Sequence, residues 1–388
     1  MKKNVGIVSC YFKKNYGSML QAYATQKILD DFNINNETIN IKLLNKEISA
    51  NKRKYYLGQI FNFSFIKAKF GMIKLKLDCK INRQLGLNIN IRNKKFEEFE
   101  NRFNMSKEYN TINQLSHECG KYTDVLVGSD QLWLPVNVIG DYYTLNFVPE
   151  NTNKIAYATS FGISHIPKKY HEKYREFLSR INHISTREQA GKDIINELIN
   201  KDVQVVCDPT LLFDKEEWMS IQEKDKAVKE KYILCYLLGN SVEHRKFAER
   251  LRGKTGYKIV SLNHLDEYVK YSDKFADETP YDIGPSEFID LIRNAEYICT
   301  DSFHGVIFSI INNKEFFVFR RYSNNKKVST NSRLDSLLTI VDLKDRLIYG
   351  TEDINKETEK TIDYAHVNVK VECLREQSKE FLKKSLNI

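Results

Sequence analysis

FIDLIRNAEYICTDSFHGVIFSI, residues 288–310, runs from the body of an amphipathic helix near Pro285–Arg293 into an apolar strand, Glu296–Thr300, and then an apolar helix, Gly305–Ile311. Only the turn TDSFHG (300–305) separates strand from second helix. This is a βα unit, and a strand that is apolar throughout belongs inside a parallel sheet covered on both faces. The same alternation continues outward. Upstream lie Tyr232–Leu238, a helix near Val242–Arg252 and the strand Tyr257–Leu262. An earlier series opens with Val5–Cys10, a polar loop Tyr11–Gly17, and a helical pattern of Met19, Leu20, Tyr23, Ile28, Leu29 and Phe32. Ser18-x-x-Gln21 fits a capping box at the start of that helix. The series continues through Thr123–Val127, Lys154–Phe161, a helix over Lys169–Ile181, Ile184–Arg187 and Val203–Val206. Two such series predict an α/β protein of two Rossmann-like, doubly wound halves.

The length of 388 residues suits two cores. The expected division is 1–207 for the first domain, with a basic insertion at about 51–105, then 208–366 for the second, and 367–388 as a C-terminal helix packing back on the first. A hydrophobic share of 41%, with only 16 Gly and 6 Pro, excludes disordered and collagen-like chains. No apolar run approaches the roughly 20 residues of a membrane-spanning helix, and Met1–Cys10 lacks a signal-peptide cleavage site. The seven cysteines, Cys10, Cys79, Cys119, Cys207, Cys235, Cys299 and Cys373, form no CxxC pair, which points to the reducing cytoplasm and to no metal.

The net charge of +9 favours anionic partners. Nothing resembles an RNA-binding signature, a zinc finger or a recognition helix, so nucleic acid is not expected. Positive charge gathers between 51 and 84, where Lys52, Arg53, Lys54, Lys67, Lys69, Lys74, Lys76, Lys80 and Arg83 face the single acid Asp78. Two readings of this segment stand: a solvated helical face, or a platform for an anionic lipid surface or acidic glycan, giving peripheral contact at the inner face of the membrane.

Ligands of open parallel sheets collect beyond the carboxyl ends of strands. That rule selects NYGS (15–18), GSDQLW (128–133), STREQAGK (185–192), DPT (208–210) and TDSFHG (300–305). His304 follows a buried strand and opens a helix, where the positive end of the helix dipole favours neutral imidazole able to exchange a proton; a capping or core histidine is the plainer reading. Arg187 stands past another strand, where a guanidinium can clamp a carboxylate or phosphate; a surface ion pair with Glu188 is the plainer reading. Asp130 reads as a base, a sugar-hydroxyl ligand or a turn residue, Asp208-Pro209 as a turn start, and Trp133 as core. Ser302, His304 and Asp301 are too close in sequence to converge as a hydrolase triad.

NYGSMLQAYATQ (15–26), VGSDQLW (127–133), YATSFG (157–162), STREQAGK (185–192), DPTLLF (208–213), FIDLIRNAEYICTDSFHGVIFSI (288–310) and NSRLDSLL (331–338) together resemble the polysaccharide pyruvyl transferase family, in order and spacing over nearly the whole chain. The resemblance implies a GT-B-like fold, two Rossmann-like domains facing a cleft. It also implies transfer of pyruvate from phosphoenolpyruvate to a saccharide or lipid-linked oligosaccharide as a ketal, releasing phosphate, in bacterial cell-surface polysaccharide synthesis such as exopolysaccharide, capsule or cell-wall glycan. No cofactor is implied beyond phosphoenolpyruvate as co-substrate. By the resemblance His304 is the acid/base and Arg187 holds the donor's carboxylate or phosphate.

Better-studied members carry an arginine two residues before that histidine, where this chain has Ser302. The donor site would then draw on Ser302 and on Arg320, Arg321 or Arg333. Asn15, Tyr16, Gly17, Ser18, Gln21, Ser129 and Asp130 are expected to face the acceptor or the cleft. The alternatives are a GT-B glycosyltransferase using a nucleotide sugar, or a non-catalytic glycan-binding relative, since one fold hosts many functions.

Overall fold

The computed structural model describes residues 3–59, 70–71, 74, 77–78, 80–221, 230–263, 275–321 and 332–388. The first sheet contains β1 (Asn4–Val8), β2 (Asn35–Asn40), β3 (Met105–Glu108), β4 (Asp124–Val127), β5 (Asn153–Ala156), β6 (His183–Thr186) and β7 (Gln204–Val205). Their spatial order is β3-β2-β1-β4-β5-β6-β7, and all pairings are parallel. The second sheet contains β8 (Tyr232–Tyr236), β9 (Lys258–Ser261), β10 (Tyr297–Thr300), β11 (Glu315–Phe319) and β12 (Leu347–Ile348), also parallel, in the order β12-β11-β10-β8-β9. β4 and β8 are buried at every position, which explains why β8 and, after Asp124, β4 are apolar without alternation.

Both sheets reverse their strand order once, between β1 and β4 in the first and between β8 and β10 in the second. A crevice forms where the connections depart to opposite faces, and it is there that doubly wound sheets bind ligands. In this chain the two crevices face each other. The connecting helices that matter for the site are α1 (Tyr16–Asp31), α2 (Asn45–Leu57), α3 (Arg83–Glu100), α4 (Gln189–Ile199), α5 (Val242–Thr255), α6 (Pro285–Asn294), α7 (Phe303–Ile311), α8 (Ser332–Ile340) and α9 (Tyr364–Leu386).

One apolar cluster spans both halves, and a second lies within the second half. Tyr16, at the start of α1, stacks on Phe288 of α6 at 4.6 Å and meets Tyr236 of β8 edge-on, while its hydroxyl donates to the Ile283 carbonyl at 3.1 Å. α3 braces the same junction: Lys95 pairs with Glu287 of α6 at 2.7 Å, and Arg92 lies over the Tyr16 ring while donating to the Lys14 carbonyl. α9 returns to the first sheet, where Ser378 accepts the Cys207 N–H at 2.9 Å and the Ser385 carbonyl accepts from Asn153.

The start of α1 differs from the capping-box reading. The helix begins at Tyr16, and its cap is Asn15, whose extended backbone lets Oδ1 accept the Ser18 N–H at 3.2 Å. Ser18 therefore lies inside the first turn and its hydroxyl is free to point across to Asp130. The basic segment also divides. Arg53, Lys54, Lys74, Lys80 and Arg83 are exposed, whereas Lys52 turns inward to Asn137 Oδ1 at 2.9 Å. Lys67, Lys69 and Lys76 lie outside the described residues, as do Cys79 and Asn331. The other six cysteines are unpaired, and among the described residues no helix is long and apolar enough to cross a membrane.

Candidate functional site

Four strand ends meet in the cleft. From the first sheet come the β1–α1 loop, the turn after β4, and Arg187 directly after β6; from the second comes the turn after β10, which places His304 in the first turn of α7. Asp208, at the end of the segment after β7, ties them together. Its Oδ2 accepts from Arg187 Nη1 at 2.8 Å and from Ser129 Oγ at 2.7 Å, and stands 3.6 Å from His304 Nε2. Its Oδ1 accepts the Thr210 N–H and hydroxyl, so the same carboxylate also caps the short helical turn Pro209–Leu212.

Arg187 is completely enclosed. Besides Asp208 it reaches Ser129 Oγ at 3.2 Å, and it faces Asp130 and Glu188 at 3.8 and 3.6 Å. Its guanidinium lies over the Phe303 ring at 4.5 Å. Asp130 follows the β4 strand in the left-handed backbone region, φ 84°, which turns its carboxylate back toward the β1 loop. There it accepts Ser18 Oγ at 2.6 Å and the Cys10 thiol at 3.2 Å, with Lys13 Nζ 3.8 Å away.

The electrostatics follow from burial among cations. Burial alone would raise the carboxyl pKa of Asp208, but His304 and Arg187 hold it well below the usual carboxylate range. Asp130 is held down against burial in the same way by Lys13, Arg187 and His304. Glu188 goes the other way: burial raises its pKa, and Arg187, the Ser160 hydroxyl and Arg333 offset this only in part. Burial and the neighbouring Arg187 push Arg333 down to about 9.

His304 is nearly buried and its Nε2 has no hydrogen-bond partner. At 3.6 Å the Asp208 carboxylate faces this nitrogen from just beyond hydrogen-bond reach. The imidazole packs directly on Gly17: a Cβ there would lie 2.7 Å from Cε1 and closer still to Nδ1 and Cγ. Only glycine admits the ring. An imidazole with one nitrogen open, beside an enclosed guanidinium and a low-pKa carboxylate, can transfer a proton next to a bound anion.

Of the residues expected from sequence, His304, Arg187, Gly17, Ser18, Ser129 and Asp130 come together here. Arg333 arrives from α8, with its guanidinium 5.8 Å from the Phe303 ring centre. Arg321 lies at the edge, donating to the Asp301 carbonyl at 2.9 Å. The others are placed elsewhere. Tyr16 is in the interdomain core, Asn15 is a cap, and Gln21 is buried in the body of α1, donating to the Ser18 carbonyl. Ser302 caps α7 by accepting the Gly305 N–H, and Arg320 is spent on Asp335 at 3.1 Å.

Asp208, Glu188, Phe303 and Lys13 belong to the site without having been singled out for it. Asp208 carried the available signal, a carboxylate just past a strand, but Asp-Pro reads first as a turn. It is both, because its two oxygens do separate work. Glu188 is no surface partner of Arg187 but a buried one, bonded to Ser160 Oγ at 2.7 Å. Among the described residues no three His, Cys, Asp or Glu side chains converge as metal ligands.

A sequence model of the polysaccharide pyruvyl transferase family matches residues 15–324. A search of curated proteins finds no match. Among solved structures the chain is similar to a UDP-N-acetylglucosamine 2-epimerase, at 12% identity and a TM-score of 0.52 over 99% of this chain and 95% of that one. It is similar also to S. aureus MnaA, solved with UDP, at 13% identity and 0.52 over 100% and 97%. These likenesses concern the fold, which is of the GT-B type.

Proposed function

The chain belongs to the polysaccharide pyruvyl transferase family, and from that premise we propose that it transfers pyruvate from phosphoenolpyruvate to two hydroxyls of a saccharide, forming a ketal and releasing phosphate. The observation that carries this reading is the Asp208 carboxylate shared by Arg187 and His304, which sets an anion clamp and a proton donor side by side in the interdomain cleft.

The donor needs both. Protonation of its C3 by imidazolium makes C2 cationic, and a sugar hydroxyl forms the first C–O bond there. Phosphate leaves with its bridging oxygen, and the second hydroxyl closes the ring. Of the two hydroxyl protons, one returns to His304, replacing the proton now in the methyl group, and the other departs with hydrogen phosphate. Arg187 holds the donor's negative charge, and Asp208 orients the guanidinium and steadies the imidazolium. The acceptor enters from the side of the β1–α1 loop, where Ser18, Ser129 and Asp130 lie. We place this reaction in cell-surface polysaccharide assembly, on a saccharide or lipid-linked acceptor, with the exposed Arg53, Lys54, Lys80 and Arg83 toward an anionic acceptor or membrane surface.

The test is phosphate release from phosphoenolpyruvate with galactosyl, mannosaminyl and glucosyl acceptors, with product mass read in parallel. Acceptor-dependent phosphate and a pyruvylated product, both reduced about 10²–10⁴-fold in His304→Ala, are expected. Turnover of a nucleotide sugar with release of nucleoside phosphate, and none of phosphoenolpyruvate, would replace this reading by glycosyl transfer.

A further inference from the structure

Among the described residues, three guanidinium nitrogens in the cleft lack any hydrogen-bond partner although they are shut off from solvent: Nε and Nη2 of Arg187 and Nε of Arg333. A buried N–H left unpaired is costly, and its presence in a folded structure calls for an explanation such as a bound ion. The two guanidiniums converge on one ring, Phe303, at 4.5 and 5.8 Å. They come from opposite halves of the molecule, Arg187 from the end of β6 and Arg333 from the first turn of α8.

Like charges held together in a low-dielectric site repel, and each disfavours the other's charged form. The nearby carboxylates do not absorb the unpaired donors. Asp208 and Ser129 take only Nη1 of Arg187, Asp130 stands off at 3.8 Å, and Glu188 is bonded to Ser160 with its other oxygen 3.6 Å from Arg187 Nε. The depressed pKa of Arg333 is the same mismatch seen from its other side.

We propose that Arg187 and Arg333, both seated on the Phe303 ring, form a two-guanidinium clamp for a phosphate dianion. The ligand class follows from the donors: several fixed N–H groups on two guanidiniums suit a group with multiple anionic oxygens, and a guanidinium fork suits phosphate geometry. Arg320 cannot serve, being committed to Asp335. The clamp rests on the donor reading above for the identity of the phosphate ester, but on geometry alone for the dianion site. Because one guanidinium belongs to each half, a bound dianion also bridges the two domains across the cleft, and phosphate release would loosen them.

The experiment is calorimetric titration of the full chain with inorganic phosphate and with phosphoenolpyruvate, in wild type, Arg333→Gln, Arg333→Lys and Phe303→Leu, with melting curves recorded for each. At least tenfold weaker binding of both ligands is expected in Arg333→Gln. Arg333→Lys, which keeps the charge without the fork, and Phe303→Leu, which keeps apolar bulk without the ring, should fall between. Wild-type affinity in Arg333→Gln would overturn the clamp and leave pyruvyl transfer standing. Phosphate binding that depends on Arg333, with no binding of phosphoenolpyruvate, would uphold the clamp and overturn the donor assignment. A wild-type protein that binds neither would overturn the clamp.

Discussion

Gly17→Ala is the most informative single substitution, because it moves His304 without touching the anion clamp. The added methyl would stand 2.7 Å from His304 Cε1, with two further ring atoms nearer still. Restoring an ordinary contact of about 3.5 Å requires the ring, or the helix end opposite it, to retreat by roughly 1 Å or more. A displacement of about 1 Å at a reacting group can cost about 100-fold in rate, or about 2.7 kcal/mol of activation free energy. Stability changes less: overpacking costs about 1–3 kcal/mol, and alanine in place of glycine in a helix returns up to about 1 kcal/mol. The assay is acceptor-dependent phosphate release from phosphoenolpyruvate, with a melting curve to show that the protein stays folded. A kcat about 100-fold lower with little change in the KM for phosphoenolpyruvate is expected, because the atoms nearest the added methyl are those of the His304 ring, while Arg187 is held by Asp208 and Ser129. A folded Gly17→Ala protein whose kcat stays within about threefold of wild type would refute the packing of glycine on the imidazole as the device that positions His304.

Asp208→Asn should cost about 3–5 kcal/mol at neutral pH, because it leaves Arg187 enclosed without its carboxylate. Since the folded pKa of Asp208 is depressed, the stability it contributes is fully present above about pH 4 and is lost as pH falls toward the folded value; urea titrations should show the gap between wild type and variant narrowing below that pH, and parallel curves would contradict the assignment. Arg187→Lys should lower kcat/KM for phosphoenolpyruvate at least about tenfold, because an ammonium cannot bond Asp208 and a ligand through one planar fork; steady-state kinetics reads it. Asn15→Ala should destabilise the protein by about 1 kcal/mol through loss of the α1 cap, while Asn15→Asp is tolerated, as chemical denaturation would show. Tyr16→Phe should cost about 1 kcal/mol, the value of its hydrogen bond to the Ile283 carbonyl, whereas Tyr16→Ala should cost about 3–5 kcal/mol by emptying the interdomain stack.

Eight strands were legible in the sequence as largely apolar runs, and the positions just past them follow from topology; β2, β3, β11 and β12 were not read, β2 and β3 being largely polar and β12 only two residues long. That is why His304, Arg187 and Asp130 stand out from a linear reading. What the sequence conceals is how one side chain divides its atoms. Asp208 reads as a turn residue because one oxygen is a cap, while its second oxygen joins residues 79 and 96 positions away in the chain, Ser129 and His304. Tyr16 sits in a loop-like polar motif yet is buried, because its partner Phe288 comes from the other domain. The choice among Arg320, Arg321 and Arg333 depends on tertiary contacts alone, since only the fold shows Asp335 and Asp301 taking the first two and leaving the third on Phe303.

The central claim is that His304 delivers a proton to phosphoenolpyruvate during ketal formation, and the product's methyl group records it. With phosphoenolpyruvate and a competent acceptor in deuterated water, the wild-type protein should release phosphate and give a pyruvate ketal with a single solvent deuterium in its methyl group, and His304→Ala should give both at least about 100-fold more slowly. A ketal formed at the wild-type rate by His304→Ala would contradict the account.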